Sequence, residues 1–243
     1  MKSDCRQRNP QGKTVFSFTQ IAHIETGFIE KFGIPRQSGL ATDATGRIVF
    51  EPEFRHPDAV KGIEEYDYLW LLFIFSENVR EKWNATVTPP KLGGKERRGV
   101  FATRSPFRPN PIGLSCVRLE KIVTDEKCGH TIIVSGADLL NGTPIVDIKP
   151  YIPYADARPG VRGGFGESLS DMKLDVVFPD ELKELLPTEY RNAVVQVLEQ
   201  DPRPAFIHDE ERVWGVFYYD YNIRFKVRNG VITVCGVDKK AEY

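Results

Sequence analysis

Arg104, Arg108 and Asn110 lie in the stretch GVFATRSPFRPNPIGL, residues 99–114, where Pro106, Pro109 and Pro111 fall within six positions. Each proline fixes its own φ and pushes the preceding residue toward extended geometry, so the loop is stiff. A stiff loop holds polar side chains in place before a ligand arrives. The two guanidiniums are planar donors matched to a carboxylate or a phosphate. Asn110 offers a donor and an acceptor to a base edge. Pairing of both arginines with surface acids is the alternative reading of the same residues.

A second stretch, DLLNGTPIVDIKPY, residues 138–151, combines a turn with an extended run. Gly142 permits positive φ, and the turn around it exposes backbone groups able to read an adenine. Asp147 and Lys149 alternate with Val146 and Ile148, so the charged pair shares one face while aliphatic side chains fill the other. A plain surface salt bridge would account for the pair equally well. Tyr151 follows, stiffened by Pro150. Shorter signals are PRQSGL at residues 35–40 and DPRPAF at 201–206, the latter mounting Arg203 between two prolines.

These groups need a frame. Partial alternation predicts a strand over residues 15–24, then short strands at 47–50, 99–103, 115–122 and 131–135. The continuously apolar YLWLLFIF, residues 68–75, fits a strand buried on both faces, with Trp70 and Phe73 in the core. Short strands between Pro- and Gly-rich loops imply a small barrel. Residues 155–170 concentrate Gly and Pro without a hydrophobic period and read as a linker or mobile loop. Beyond them, 179–186 and 188–201 read as helices, the second capped by Thr188 and buried through Val194, Val195, Val197 and Leu198. Strands at 213–219 and 223–227 follow, and Asn229-Gly230 turns into another at 231–237. The expected fold is mainly β: a flexible tail (1–13), a small β-barrel N-terminal domain (14–155), a linker (156–170) and a smaller α+β C-terminal domain (171–243).

Composition narrows the function classes. The 243 residues are 41% hydrophobic and 28% charged with a net charge of −1, which argues against wholesale coating of nucleic acid but leaves room for a local basic surface. The four cysteines and four histidines are dispersed without metal-ligand spacing, so no metal site is expected. No apolar run approaches the ~18 residues of a membrane span, and the polar N-terminus does not read as a signal peptide. A cytoplasmic protein is expected.

The chain resembles the TrmO family, also called YaeB-like or TsaA-like, through KFGIPRQSGL (31–40), YLWLLFIF (68–75), PPKLGG (89–94), GVFATRSPFRPNPIGLS (99–115), DLLNGTPIVDIKPY (138–151) and DPRPAF (201–206). The resemblance implies a β-barrel methyltransferase, not a Rossmann sheet, with S-adenosyl-L-methionine bound near a homodimer interface. It implies methylation of N6 of N6-threonylcarbamoyladenosine, next to the anticodon of threonine tRNA. Carried over by motif, cofactor contacts fall at Ser38, Gly39, Leu40, Ser76, Glu77, Arg104, Leu114, Ser135, Gly136, Ala137 and Asp138. The family often has Pro at position 38 and Asp at 141, so Ser38 and Asn141 depart from the pattern.

Methyl transfer from a sulfonium is an in-line displacement that needs alignment and charge stabilisation rather than a covalent nucleophile. For that chemistry Asp147 is the expected base, with Tyr151 in reserve and Lys149 and Asn110 completing the catalytic set. Arg36, Arg108 or Lys149 would hold the threonyl carboxylate. Phe101 or Phe107 would offer a ring face to the sulfur. Arg203 and Lys226 would meet tRNA phosphates.

Overall fold

A computed structural model describes residues 6–8, 12, 14–80, 82–89, 96–169, 173–204, 207 and 209–240. Most of the PPKLGG motif, Ala205 and Phe206 of DPRPAF, Cys5 and much of the expected tail lie outside them. β1 (Arg6–Arg8) pairs antiparallel with β2 (Thr14–Phe16). The strand expected over residues 15–24 is therefore two strands: β2, and β3 (Ala22–Thr26). Val15, Phe16 and Phe18 are exposed, whereas Ala22, Ile24 and Thr26 point inward. Alternation becomes a barrel face only from Ala22.

β4 (Thr45–Phe50), β5 (Tyr68–Ile74), β8 (Ile112–Asp125), β9 (Gly129–Ser135) and β10 (Thr143–Pro150) join β3 in a closed barrel of order β10-β3-β4-β9-β8-β5. Between them β6 (Thr86–Val87) and β7 (Arg98–Gly99) form a separate two-stranded ribbon. Closure leaves no open sheet edge. Ile24, Ile48, Leu69, Leu71, Val117, Ile132, Val134 and Ile145 fill the interior, all fully buried.

Two expectations fail here. β5 is buried on one face only: Leu69, Leu71 and Phe73 point inward, while Tyr68 is exposed and Trp70 and Leu72 are half-buried outside. Trp70 is thus an outer residue, its indole Nε1 donating to Asp156 Oδ2 at 3.0 Å. The strand expected at 99–103 is instead a 3-10 turn at Val100–Ala102, anchored by buried Val100 with Phe101 projecting outward. Opposite Phe73, Gly113 is required, because a Cβ there would overlap the phenyl ring.

The C-terminal part is a four-stranded sheet of order β11-β14-β13-β12, with β11 (Asp175–Val177) parallel to β14 (Val231–Lys239) and the rest antiparallel. β12 spans Trp214–Tyr218 and β13 Tyr221–Arg228. α1 (Pro153–Asp156) follows the barrel, and α2 (Asp180–Lys183) is one turn of the helix expected over 179–186. α3 (Thr188–Glu199) buries Ala193, Val194, Val197 and Leu198. Thr188 is its first helical residue, not its cap; Pro187 occupies the cap position, where its missing N–H costs nothing. Asn229 and Gly230 both have positive φ, as the tight hairpin requires.

The second core also receives a segment from the barrel half. Phe28, Ala41 and Ala44 are buried in it, with Phe32 and Ile34 against its margin. Phe32 stacks on Trp214 at 5.9 Å between centroids, and Gly33, at φ +93°, leaves no room for a Cβ beside Val216. The connection between β3 and β4, which carries the PRQSGL motif, is thereby gripped by the C-terminal sheet.

Candidate active site

Three separated motifs converge where that connection meets the barrel. The Gly39 amide donates to the Gly136 carbonyl at 2.8 Å, and the Gly136 amide to the Ala44 carbonyl at 2.9 Å. Both glycines have positive φ, and a Cβ on Gly136 would press on the Gly39 backbone, so this contact admits only glycine. Ser38 Oγ accepts from the Cys116 amide at 3.1 Å. Ser115 Oγ donates to Asp138 Oδ1 at 2.5 Å. The Arg104 guanidinium hydrogen-bonds the Gln37 side-chain carbonyl.

Asp138 is the electrostatic centre of this cluster. Burial pushes its carboxyl up to about 6, against the Ser115 hydrogen bond and the Arg104 charge, which both favour ionisation. Ala137 is buried in the barrel core, so only its backbone is available to a ligand. The Ser135 hydroxyl is committed to Glu120 Oε1 at 2.5 Å. Ser76 and Glu77 form a 3-10 turn after β5, and the Glu77 carbonyl accepts from Lys31 Nζ at 2.9 Å, tying that turn to the same connection.

Three of the four expected catalytic residues, Asp147, Lys149 and Tyr151, lie on the outer face of the barrel, in register with this cluster. Leu72 of β5 is paired with Leu114 of β8 on one side and with Asp147 of β10 on the other. Trp70 is likewise flanked by Cys116 and Lys149. With neighbouring strands roughly 4.8 Å apart, the Leu114 and Asp147 backbones are about 10 Å apart. A register shift between Ile145 and Asp147 keeps Ile145 and Ile148 inward while Asp147 and Lys149 share the outer side. Lys149 Nζ sits 2.7 Å from Asp147 Oδ2, and Asp147 Oδ1 accepts from the Ile148 amide at 2.9 Å. Tyr151 packs against Tyr68 and Trp70 with centroids 6.2 and 5.9 Å away. Asp147 also borders a cavity of about 310 Å³ lined by Phe50, Phe54, His56, Val60 and Ile63.

Other expected residues are placed differently. Asn110 is exposed at the loop tip, and Arg108 Nη1 donates to the Thr103 carbonyl at 3.2 Å. Among the described residues no hydrogen bond or ion pair joins either to Asp147, Lys149 or Tyr151. Phe107 is covered by the Arg80 guanidinium at 3.8 Å, and Phe101 faces solvent. Arg36 Nη2 donates to the Gln200 carbonyl at 2.9 Å and is half-buried beside Asp201. Arg203 is 14% exposed and pairs with Asp201 at 2.8 Å. Both cations serve the junction with the C-terminal sheet. Lys226 is paired with Glu211 at 3.3 Å. The Asn141 and Gly142 amides, expected to be open to a base, are consumed by the Phe28 and Ile24 carbonyls at 2.8 Å each.

Sequence reading missed Gln37, Ser115 and Cys116, although all three lie in or beside quoted motifs. It missed Tyr68, Trp70 and Asp156 as members of the outer face. The alternation within YLWLLFIF marks Tyr68 and Trp70 as a pair on one side, whereas nothing local marks Asp156. Among the described residues no group of three His, Cys, Asp or Glu is placed to hold a metal, and no helix is long and apolar enough to cross a membrane.

The chain has relatives among known proteins along nearly its whole length. The sequence profile of the tRNA-methyltransferase O N-terminal domain matches residues 23–157, and that of the TrmO C-terminal domain matches 171–240. A tRNA (adenine(37)-N6)-methyltransferase of Escherichia coli K12 is 40% identical over 233 residues, covering 93% of this chain and 99% of its own. A putative S-adenosylmethionine-dependent methyltransferase of Pseudomonas aeruginosa, RcsF, is 39% identical over 86% of this chain and 91% of its own. The crystal structure of TrmO from Pseudomonas aeruginosa superposes with a TM-score of 0.73 at 34% identity, over 92% of this chain and 99% of that one.

Proposed function

The chain belongs to the TrmO family, and from that premise we propose that it methylates N6 of N6-threonylcarbamoyladenosine, next to the anticodon of threonine tRNA. The coarser assignment, an S-adenosyl-L-methionine-dependent tRNA adenine-N6 methyltransferase, rests on the relatives that match nearly end to end. The observation that supports methyl transfer at this face is the register across β5, which sets Leu114, beside the Asp138 cluster, within one strand of Asp147.

The cluster fits the cofactor chemically. Asp138 supplies a carboxylate for a cationic group, Arg104 a guanidinium for a carboxylate, and half-exposed Leu114 an apolar surface. Gly39, with open space where a side chain would stand, lets a ligand approach the backbone of Ser38, Gly39 and Leu40. When bound, S-adenosyl-L-methionine supplies an electrophilic methyl carbon on a sulfonium.

The residues of the outer face then act on the base. Tyr151, with Tyr68 and Trp70 beside it, offers ring surface to the adenine. The ureido-type N6 must lose its proton as the new carbon–nitrogen bond forms and the carbon–sulfur bond breaks. Asp147 accepts that proton, while Lys149 holds the carboxylate in place. Arg108 holds the threonyl carboxylate, and Asn110, on the same stiff loop, reads the base edge. The protein works in the cytoplasm as a homodimer, for which Tyr154 of α1, 88% exposed, provides apolar surface.

Purified protein should move labelled methyl from the cofactor to threonine tRNA bearing threonylcarbamoyladenosine. Equal activity on unmodified tRNA would sink the carboxylate-recognition step. Near-normal single-turnover methylation by Asp147→Asn would remove it as the proton acceptor.

A further inference from the structure

The ribbon of β6 and β7 carries features that neither the barrel core nor the methyl-transfer site uses. Thr86 pairs with Gly99 and Val87 with Arg98, and the Val100 amide donates to the Ala85 carbonyl at 2.9 Å. This pairing brings Trp83 and Phe101 together with centroids 6.1 Å apart, tilted 35°. Both rings face solvent, Trp83 at 51% and Phe101 at 73% exposure. Large aromatics this exposed are seldom left without a partner.

The surrounding charge indicates which partner. Among the described residues between Glu77 and Arg108 there are six Lys or Arg against two Asp or Glu, in a chain whose net charge is −1. Lys82 and Arg97 are exposed and make no ion pair among the described residues. Two copies of this chain meeting symmetrically through the ribbon would place like charges opposite one another. An unpaired nucleic-acid strand has what the surface lacks: phosphates for the cations and open base faces for the rings.

We infer that the exposed Trp83–Phe101 pair, with Lys82 next to it in sequence and Arg97 further along the same ribbon, is a stacking platform for an unpaired base of the anticodon loop, outside the methylated nucleotide. The inference rests on the tRNA reading above. It adds a second anchor to the substrate, so that the modified adenosine enters the outer face of β5 and β10 while a neighbouring base rests on the ribbon.

The test uses the full chain and an anticodon stem-loop RNA of threonine tRNA bearing threonylcarbamoyladenosine, followed by fluorescence anisotropy. Trp83→Ala should weaken binding about 5- to 100-fold, as expected for loss of one base–aromatic stack, and Trp83→Phe should recover most of it. Lys82→Gln with Arg97→Gln should lower the slope of log affinity against log salt by about 1.4, two contacts at about 0.7 each. Calorimetric affinity of Trp83→Ala for S-adenosyl-L-methionine should equal that of wild type, which separates a platform from general damage. RNA affinity within twofold of wild type in Trp83→Ala overturns the inference. So does a shift of that variant to a smaller species in sedimentation, which would make the ribbon a contact between copies. Wild-type protein that binds the cofactor but no tRNA would instead overturn the tRNA reading on which the platform depends.

Discussion

Asp138→Asn isolates the electrostatics of the proposed cofactor cluster, because an amide oxygen accepts the same hydrogen bond from Ser115 while the buried charge disappears. The carboxyl stands at about 6 in the folded chain against an ordinary 3.8. The folded protein therefore holds this proton more tightly than the unfolded chain. The group adds stability below pH 3.8, and that contribution is lost as pH rises through about 6. At about 1.4 kcal/mol per pH unit the interval is worth roughly 3 kcal/mol at most, and partial exposure reduces it to roughly 1–2 kcal/mol. At about pH 7.5 the variant should melt about 2–8 °C higher than wild type, since ~1 kcal/mol moves a chain of this size by about 2–4 °C. At about pH 4 the advantage should vanish. Thermal scans of both proteins at the two pH values measure the difference directly. The opposite effect is expected on binding: wild-type affinity for S-adenosyl-L-methionine should rise as pH passes about 6, whereas the variant should bind weakly at every pH. An unchanged melting difference between the two pH values, or a variant less stable at about pH 7.5, would refute burial as the cause of the perturbed carboxyl.

Arg104→Ala removes the guanidinium that hydrogen-bonds Gln37 and faces Asp138; cofactor affinity by calorimetry should fall about 10-fold or more, the usual worth of a charge-assisted contact. Gly33→Ala forces a Cβ into Val216 at φ +93° and should cost about 2–3 kcal/mol in denaturant unfolding, with cofactor affinity falling too, because the same connection carries Ser38 and Gly39. Gly113→Ala sets a methyl group into the Phe73 ring and should cost about 1–3 kcal/mol, read as a lower denaturant midpoint.

Much of the candidate site's geometry was legible because its residues cluster in motifs whose stiffness is local. Prolines at 106, 109 and 111 act through their own rings, so the rigidity of the Arg104–Asn110 loop follows from sequence alone. The outward pairing of Asp147 with Lys149 was legible for the same reason, since two-residue alternation is a property of any extended chain. The fates of Arg36 and Arg203 were not. Both looked like free cations, and both are spent on Gln200 and Asp201 at the junction with the C-terminal sheet, partners that local spacing does not reveal for Arg36. The open amides expected at Asn141 and Gly142 failed similarly, because the residues that accept from them belong to β3 and the connection after it.

The sequence by itself determined the small β-barrel with its α+β companion, the hairpin at Asn229-Gly230 and the three motifs that converge in the candidate site. Turn chemistry, proline restriction and strand alternation act over a few residues and leave their mark in composition and spacing. Tertiary structure alone decided that β5 separates Leu114 from Asp147 by a single strand, and that burial raises Asp138. It alone decided that Phe28, Phe32 and Ile34 fix the connection between β3 and β4 in the second core. Each of these depends on which distant segments share a register or a core, and no local period records that.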